Sequence, residues 1–238
     1  MNAGKVSIVV PTYNERENVR PLCQGIGSAI DNLWDYEIII VDDNSPDGTQ
    51  DVVRELAVEN ARIKLLARPG KQGLGTAVKE GFSLATGDYW VMMDADLSHR
   101  PIELPRILEA LKEFDIVVGS RYVDGGAVEN WPVWRQWASR IASMFGRVIV
   151  GLNVRDLTSG LGAFRRETLE PILPHLNPKG FKLLLEILAN NSGSSNVKEI
   201  PITFVDREKG KSKASGKEAL IFLRLCFHLR RLRASKRY

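Results

Sequence analysis

The sequence predicts an α/β domain built on a mostly parallel sheet with helices on both faces. Over the first 120 residues, five short runs rich in β-branched residues alternate with segments of helical length and periodicity. The runs are apolar throughout, which is typical of parallel strands buried on both sides. Polar residues cluster directly after four of the runs, where ligands bind in such sheets. A chain of 238 residues is long enough for one such domain.

The elements follow in order along the chain. Strands are predicted for KVSIVV (5–10), EIIIVD (37–42), IKLLA (63–67), YWVMMD (89–94) and DIVVGS (115–120). Helices are predicted between them, over residues 16–31, 48–60, 73–86 and 101–113. Beyond residue 120 we expect a helix from about Pro132, a loop or short strand followed by a helix from about Arg165, a helix over 181–190, and a late strand over 197–206. No internal repeat or linker is visible, so we assign one domain (1–215) and a tail (216–238).

Composition narrows the class of protein. No window offers the roughly 18 uncharged apolar residues of a membrane span, and the N-terminal apolar run is too short for a secretory signal. The two cysteines, Cys23 and Cys226, lie far apart without metal-ligand spacing. They are compatible with a reducing compartment. The sequence therefore predicts a cytoplasmic protein that does not cross a bilayer.

The charge is unevenly distributed. Residues 207–238 carry 11 Lys or Arg and 2 Asp or Glu, a charge of +9, so the first 206 residues carry 4 − 9 = −5. A basic tail suggests a polyanionic partner: nucleic acid, a phosphorylated ligand or an anionic membrane. Residues 217–235 predict a basic amphipathic helix that either lies in a membrane interface or docks on the domain. Trp131, Trp134 and Trp137 form a second candidate for the interface.

Asp94 is the last residue of the fourth predicted strand, and Asp96 follows with one residue between them. Alternate side chains of a strand point to the same side, so the two carboxylates are able to converge on one point. Close carboxylates repel each other unless a cation lies between them. This pattern predicts a site for Mg²⁺ or Mn²⁺, and the alternative is a solvated turn. We expect the neighbouring His99 to be an exposed loop residue and not a metal ligand.

Two other strand ends carry candidate ligand contacts. Pro11 is expected to end the first strand, and Tyr13 and Glu15 to stack on and hydrogen-bond a ligand; the alternative is a helix entry capped by Asn14. Asp42, at the end of the second strand, is able to accept hydrogen bonds from a base or a ribose. The alternative there is an Asx turn over residues 45–48. The Gly-rich segment 68–82 lacks both common phosphate-loop patterns and is a weak signal.

Taken together, SIVVPTYNE, VDDNSPDGT, GLGTAVKEGF, MDADLSHRP, GSRYVDGGAVENW and FVDREKGKSK resemble the inverting family 2 glycosyltransferases, in particular those that make polyprenyl-phosphate sugars. The resemblance covers roughly residues 5 to 215. It implies a GT-A fold and a Mg²⁺ or Mn²⁺ cofactor. It also implies transfer of a sugar, mannose from GDP-mannose, to a polyprenyl (dolichyl-type) phosphate by a peripheral protein on the cytoplasmic face of a membrane.

The resemblance also implies roles for individual residues. The nucleotide pocket would be formed by Pro11, Tyr13, Glu15, Val41 and Asp42. The donor diphosphate would lie against Asp94, Ala95, Asp96, Arg121, Arg207 and Lys213, with Asp94, Asp96 and Arg121 as the catalytic residues. The acceptor phosphate would bind Arg135 and Ser159. Asp96 would be the principal metal ligand, Asp94 a weaker one, and Ser98, where the family usually has Gln, a ligand through water. An acceptor phosphate is already ionised near neutral pH, so no strong general base is required.

Other functions stay open at this point. A different family 2 transferase would use UDP-glucose, a UDP-aminosugar or another acceptor. A non-enzymatic module that binds membranes or nucleic acid would use the basic tail, but it leaves the strand-end carboxylates unexplained, because without a metal they repel phosphates. The expected partners are therefore a nucleotide sugar, a polyprenyl phosphate and an anionic membrane surface, and not nucleic acid.

Overall fold

A seven-stranded sheet in the order β3-β2-β1-β4-β7-β5-β8 forms the centre of the protein in the computed structural model, which describes residues 4–177, 182–191, 195–206 and 216–235. The strands are β1 (Lys5–Thr12), β2 (Asp35–Asp42), β3 (Ile63–Ala67), β4 (Tyr89–Met92), β5 (Ile116–Ser120), β6 (Ala127–Glu129), β7 (Gly162–Arg165), β8 (Val197–Pro201) and β9 (Thr203–Val205). The helices are α1 (Arg16–Ile30), α2 (Thr49–Glu59), α3 (Leu74–Leu84), α4 (Leu104–Ala110), α5 (Val133–Val150), α6 (Arg166–Leu169), α7 (Leu183–Asn190) and α8 (Gly216–Ser235).

Strand β1 continues through Pro11 to Thr12, so the prediction that Pro11 ends the strand is wrong. Pro11 pairs with Val41 of β2, whereas β4 on the other side pairs only with residues 6–9. At Pro11 the strand therefore has one paired side, and a residue without an N–H is tolerated at such a place.

One strand of the sheet runs against the others. The short segment of β7 lies between β4 and β5 and is antiparallel to both. The sequence leaves the segment before the helix from about Arg165 as a loop or a short strand, and the structure has the short strand, over the four residues Gly162–Arg165. The late strand predicted over 197–206 is divided into β8, at the sheet edge, and β9, which pairs with β6 in a separate two-stranded sheet.

The sheet has a hydrophobic core on each face. Successive residues of β1 alternate between the two cores: Val9 packs on one face, and Ile8 and Val10 pack on the other. The first core includes residues of α3, α7 and α8, and the second includes residues of α1, α2 and α4. A mostly parallel sheet with helices on both faces is therefore confirmed.

Helix α8 docks on the domain. Phe222, Cys226 and Leu229, spaced by four and three residues, are buried in the core shared with α5 and α7. Leu223 and Phe227, on other sides of the helix, are exposed. Docking therefore accounts for one face of the helix and leaves a second apolar face in solvent. None of the helices in the described ranges is long and apolar enough to cross a membrane.

Candidate active site

A cleft of about 780 Å³ opens at the carboxyl ends of β1 and β4. Its walls come from the loops after these strands, from the loop before α3, from α5, and from the loop before β7. Among the described residues, four cationic side chains line it, namely Lys71, Arg121, Arg135 and Lys182. Four carboxylates from the same ranges line it as well, namely Glu15, Asp43, Asp94 and Asp96. The cationic side chains suit the phosphates of a ligand, and the carboxylates suit a cation that binds together with those phosphates.

Tyr13 and Asp43 form one end of the cleft. The ammonium of Lys71 lies 3.7 Å from the centre of the Tyr13 ring. Asp43 Oδ2 accepts a hydrogen bond from the backbone N–H of Gly73 (2.9 Å), and Asp43 Oδ1 accepts one from the buried guanidinium of Arg68. Asp43 therefore fixes the loop before α3 against the end of β2.

Asp42 and Val41 are fully buried and lie outside the cleft lining. The Asp42 carboxylate accepts four hydrogen bonds: two from Ser45, one from Thr12 and one from Gln50. The contacts of Asp42 are thus made to the protein, and it is Asp43, one residue later, that reaches the cleft. The expected contacts of Val41 and Asp42 with a nucleotide stay predictions.

Asp94 and Asp96 both line the cleft, together with Ala95. Strand β4 ends at Met92, two residues earlier than predicted, so the carboxylates are carried by a loop and not by the strand. Asp96 Oδ1 accepts hydrogen bonds from the backbone N–H (3.2 Å) and the hydroxyl (2.5 Å) of Ser98. Ser98 is itself almost fully buried, so its hydroxyl orients Asp96.

His99 is fully buried, so the prediction of an exposed loop histidine is wrong. Backbone contacts join this loop to β9. The N–H of Val205 donates to the carbonyl of Ser98 (3.0 Å), and His99 forms a β-bridge with Phe204. The imidazole stands edge-on to the Phe204 ring with 5.2 Å between centroids. Its Nε2 lies 3.5 Å from Asp94 Oδ2.

Arg121 lines the cleft from a buried position. Its Nε and Nη2 donate to the two oxygens of Asp156 at 2.7 and 2.8 Å, and Nη2 also donates to the hydroxyl of Thr158 (2.7 Å). Burial alone would lower the pKa of Arg121, but the Asp156 carboxylate raises it above its ordinary value. Arg121 is therefore a fixed, permanently charged group.

Arg135 lines the cleft as well, with its guanidinium 4.0 Å from the centre of the Trp131 ring, which also lies 5.4 Å from the guanidinium of Arg121. Its Nη1 donates to both oxygens of Asp206, at 3.2 and 3.0 Å. Ser159, in the loop before β7, also lines the cleft. Its hydroxyl accepts a hydrogen bond from the backbone N–H of Leu161 (3.1 Å). The two remaining predicted site residues, Arg207 and Lys213, lie outside the described residues.

The cleft also has apolar lining residues. It is lined by Trp134, Ile141, Phe145, Phe222 and Leu223, the first three from α5 and the last two from α8. Along α5, exposed apolar side chains recur every three or four residues, at Trp134, Trp137, Ile141, Met144 and Val148. With Leu220, Leu223 and Phe227 of α8 they form what we call the α5–α8 surface.

Several lining residues were not predicted from the sequence. Asp43, Lys71, Thr158 and Lys182 are examples. Lys71 lies in the Gly-rich segment that matched no phosphate-loop pattern. Asp43 comes directly after Asp42, the carboxylate that ends β2. Only the exact position of the strand end decides which of the two side chains faces the cleft.

The model of the family described as "Glycosyl transferase family 2" matches residues 7–173. The chain belongs to glycosyl transferase family 2. The resemblance seen in its motifs is therefore confirmed at the level of the family. The predicted GT-A architecture is confirmed as well.

Curated relatives of this glycosyltransferase act on polyprenyl phosphates, to judge from their names. It is 45% identical over 228 residues to the dolichol-phosphate mannosyltransferase of Pyrococcus furiosus, covering 94% of this chain and 63% of the relative. It therefore spans less than two thirds of the length of that relative. It is 42% identical over 217 residues to the undecaprenyl-phosphate mannosyltransferase of Micrococcus luteus, covering 89% of this chain and 88% of the relative.

Solved structures show the same fold at low sequence identity. A glucosyl-3-phosphoglycerate synthase from Mycobacterium tuberculosis in complex with uridine diphosphate superposes with a TM-score of 0.68 at 18% identity. The superposition covers 98% of this glycosyltransferase and 80% of that chain.

Proposed function

We propose that this glycosyltransferase moves mannose from GDP-mannose to the phosphate of a polyprenyl (dolichyl-type) phosphate, with inversion at the anomeric carbon. One observation carries the proposal: a single cleft is lined both by charged residues, among them Asp94 and Asp96, and by apolar residues of α5 and α8. A nucleotide sugar suits the charged residues, and the first isoprene units of a lipid phosphate suit the apolar ones. The names of the relatives at 42–45% identity support this pair of substrates.

The donor nucleotide is assigned to the end formed by Pro11, Tyr13 and Glu15. Tyr13 offers a ring for a base to stack on, and Lys71 closes over the same ring. We assign the hydrogen bond to the nucleoside to Asp43, since Asp43 lines the cleft. Val41 and Asp42 support this wall from behind, because the hydrogen bonds of Asp42 fix Ser45 and Thr12.

The donor diphosphate is assigned to Asp94, Ala95, Asp96 and Arg121, with Arg207 and Lys213 as further candidates. No group of three or more acidic, His or Cys side chains in the described ranges forms a metal cage. Two carboxylates suit Mg²⁺ or Mn²⁺ nevertheless, because such an ion is commonly held by one or two carboxylates plus substrate phosphates. A bound divalent ion would neutralise charge on the departing diphosphate. Asp96, oriented by Ser98, is the principal candidate to hold it, and Asp94 is the second.

The acceptor phosphate is assigned to Arg135 and Ser159. A guanidinium carries five N–H donors, so Arg135 is able to share Asp206 and a phosphate. The phosphate oxygen is already ionised and attacks without a strong base. Asp94 and Asp96 therefore do not have to accept a proton from it. Arg121 is a fixed charge near the reacting groups and stabilises negative charge as the nucleoside diphosphate leaves.

The α5–α8 surface is assigned to an anionic membrane surface that presents the acceptor. Tryptophan favours the membrane interface, and Trp134 and Trp137 are both more than half exposed. Arg224, Arg230 and Arg231 of α8 are exposed beside the apolar residues and would attract anionic lipids. This arrangement makes the protein peripheral, on the cytoplasmic face where nucleotide sugars are available.

The proposal is tested by incubating the purified protein with a polyprenyl phosphate and a panel of nucleotide sugars, with Mg²⁺ or Mn²⁺. We expect a lipid-linked hexose to form from GDP-mannose in preference to UDP-glucose and UDP-aminosugars. We also expect release of GDP to depend on the lipid phosphate. Formation of product from a UDP-sugar alone would contradict the donor assignment, and release without lipid phosphate would contradict the acceptor assignment.

A further inference from the structure

His99 is a fully buried histidine whose two ring nitrogens have no hydrogen-bond partner within the described ranges. Buried polar groups are nearly always satisfied, because an unmade hydrogen bond leaves the cost of desolvation uncompensated. The polar groups close to the imidazole are therefore the place to look for its role. A leucine or phenylalanine would fill the same volume without that cost.

A carboxylate of the site lies close to the ring. His99 Nε2 lies 3.5 Å from Asp94 Oδ2, just beyond the length of a normal hydrogen bond. Contacts of this kind are often long in the absence of substrate and shorten when the site is occupied. The two groups are a matching donor and acceptor, since an imidazole N–H donates a hydrogen bond and a carboxylate oxygen accepts one.

Gly160 leaves the space that this contact needs. A Cβ at Gly160 would overlap Asp94 Oδ2 and would lie 3.0 Å from His99 Nε2. The backbone of the loop before β7 therefore closes over the point where the imidazole and the carboxylate meet. The ring also stands edge-on to Phe204. The loop after β4, the loop before β7 and strand β9 thus meet around the His99–Asp94 contact.

We propose that His99 is a positioning residue for Asp94: the imidazole donates its Nε2–H to Asp94 Oδ2 and so fixes the carboxylate in its orientation for the donor. This inference rests on the proposed function, because that function places Asp94 against the donor diphosphate. His99 itself contacts neither substrate nor reacting atoms. It acts through Asp94, much as Ser98 acts through Asp96.

The first test is independent of any activity. The chain has three histidines, so ring ¹⁵N resonances are readily assigned by substitution of His175 and His228. We expect the His99 ring to carry its proton on Nε2 and its resonance to move in Asp94→Asn. A proton on Nδ1, or a resonance that is indifferent to Asp94→Asn, would overturn the proposal even if the protein proved to have another substrate.

The second test uses the different reach of two amides. The amide nitrogen of glutamine is able to take the place of Nε2, whereas that of asparagine reaches only to Nδ1. We expect His99→Gln to keep most of the affinity for GDP with Mn²⁺, measured by calorimetry. We expect His99→Asn and His99→Phe to lose on the order of ten- to a hundredfold, the effect of one hydrogen bond to a charged group.

A role in packing alone predicts the reverse order. His99→Phe would then keep the edge-on contact with Phe204 and bind GDP normally, and His99→Gln would bind poorly.

A double-mutant cycle separates the roles further. With Asp94→Asn already present, His99→Phe should cause no additional loss of affinity; a full additional loss would overturn the proposal. If the parent protein binds GDP but transfers no mannose, the proposed function fails and the His99 cycle still stands.

Discussion

The Nε of Arg121 lies 2.7 Å from Asp156 Oδ2, and both side chains are buried. Removal of one partner of a buried pair leaves the other charge uncompensated. We therefore expect Arg121→Gln to lower the free energy of unfolding by about 3–5 kcal/mol, measured by urea denaturation. Asp156→Asn should cause a comparable loss, because it leaves the guanidinium buried without its carboxylate.

The control for this pair is an exposed one. Arg155 and Asp124 are 3.7 Å apart, and both are more than half exposed. Arg155→Gln should change the free energy of unfolding by less than about 1 kcal/mol. If Arg121→Gln proved equally mild and lost only activity, Arg121 would be a phosphate contact whose pairing with Asp156 contributes little to the fold.

Asp96 should be required for transfer and not for folding. Asp96→Ala removes the principal candidate metal ligand and relieves the repulsion between neighbouring carboxylates. We expect transfer to fall below detection while the thermal unfolding temperature stays within a few degrees of the parent. Asp51→Ala, on the exposed face of α2, is the matched control. Activity of the Asp96 variant near the parent level would contradict the metal assignment.

Gly160 tests the space around Asp94. Gly160→Ala adds a methyl group that overlaps Asp94 Oδ2, so the carboxylate must move. We expect donor affinity to fall by at least tenfold, the scale of one charged hydrogen bond. Gly70→Ala is the control, because a Cβ there meets nothing within 4 Å. Equal affinity in the two alanine variants would show that Asp94 does not need its present position.

The order of the strands and helices in the first half could be predicted from the sequence, because the apolar runs and the helical periodicity are properties of local sequence. For β7 the sequence left a loop and a short strand as alternatives, and its place in the sheet could not be predicted, since pairing with distant segments puts it between β4 and β5. The division of 197–206 into β8 and β9 depends on pairing in the same way.

The candidate site was predictable to the level of which strand ends contribute to it. It was not predictable to the level of single residues, because a shift of one position changes which side chain faces the cleft. Asp42 and Asp43 illustrate this: the first is bonded to the protein on all sides, and the second lines the cleft. The burial of His99 depends on Phe204, which is 105 residues away in the sequence. No local pattern reports such a contact.

Glu37 should make stability depend on acid pH. Burial alone would raise the pKa of Glu37, but hydrogen bonds from Lys64, Ser7 and Thr86 lower it to about 2. A carboxyl whose pKa is lower in the folded state stabilises the fold above its ordinary pKa, and this stabilisation is lost as the pH falls through the folded value. We expect the free energy of unfolding to decrease by about 3 kcal/mol from this group between pH 4.5 and pH 2.

The measurement for Glu37 is urea denaturation over pH 2 to 5 for the parent and Glu37→Gln. The variant should be less stable at pH 5 and should show a shallower slope below it. Glu55→Gln, whose side chain is exposed, should reproduce the parent slope. A variant slope equal to that of the parent would mean that other carboxyls, such as Asp156, account for the whole dependence.

The α5–α8 surface should bind anionic vesicles through side chains that contribute little to the core. Trp137 and Met144 are each about 60% exposed and do not line the cleft. We expect Trp137→Glu with Met144→Glu to remove sedimentation with vesicles of phosphatidylglycerol, because carboxylates are repelled by the surface and the apolar contact is lost. Transfer to a short, water-soluble prenyl phosphate should continue, since the cleft is unchanged.

The matched control for this surface is Val58→Glu, an exposed apolar position on α2 that is 89% accessible. Because α2 packs in the core on the other face of the sheet from α8, this variant should sediment like the parent. Transfer to a long-chain acceptor in vesicles should fall only in the α5–α8 variant, through a higher apparent KM. Sedimentation of the α5–α8 variant at the parent level would place the membrane contact elsewhere. Loss of transfer to the short acceptor as well would show that Trp137 or Met144 supports the cleft itself.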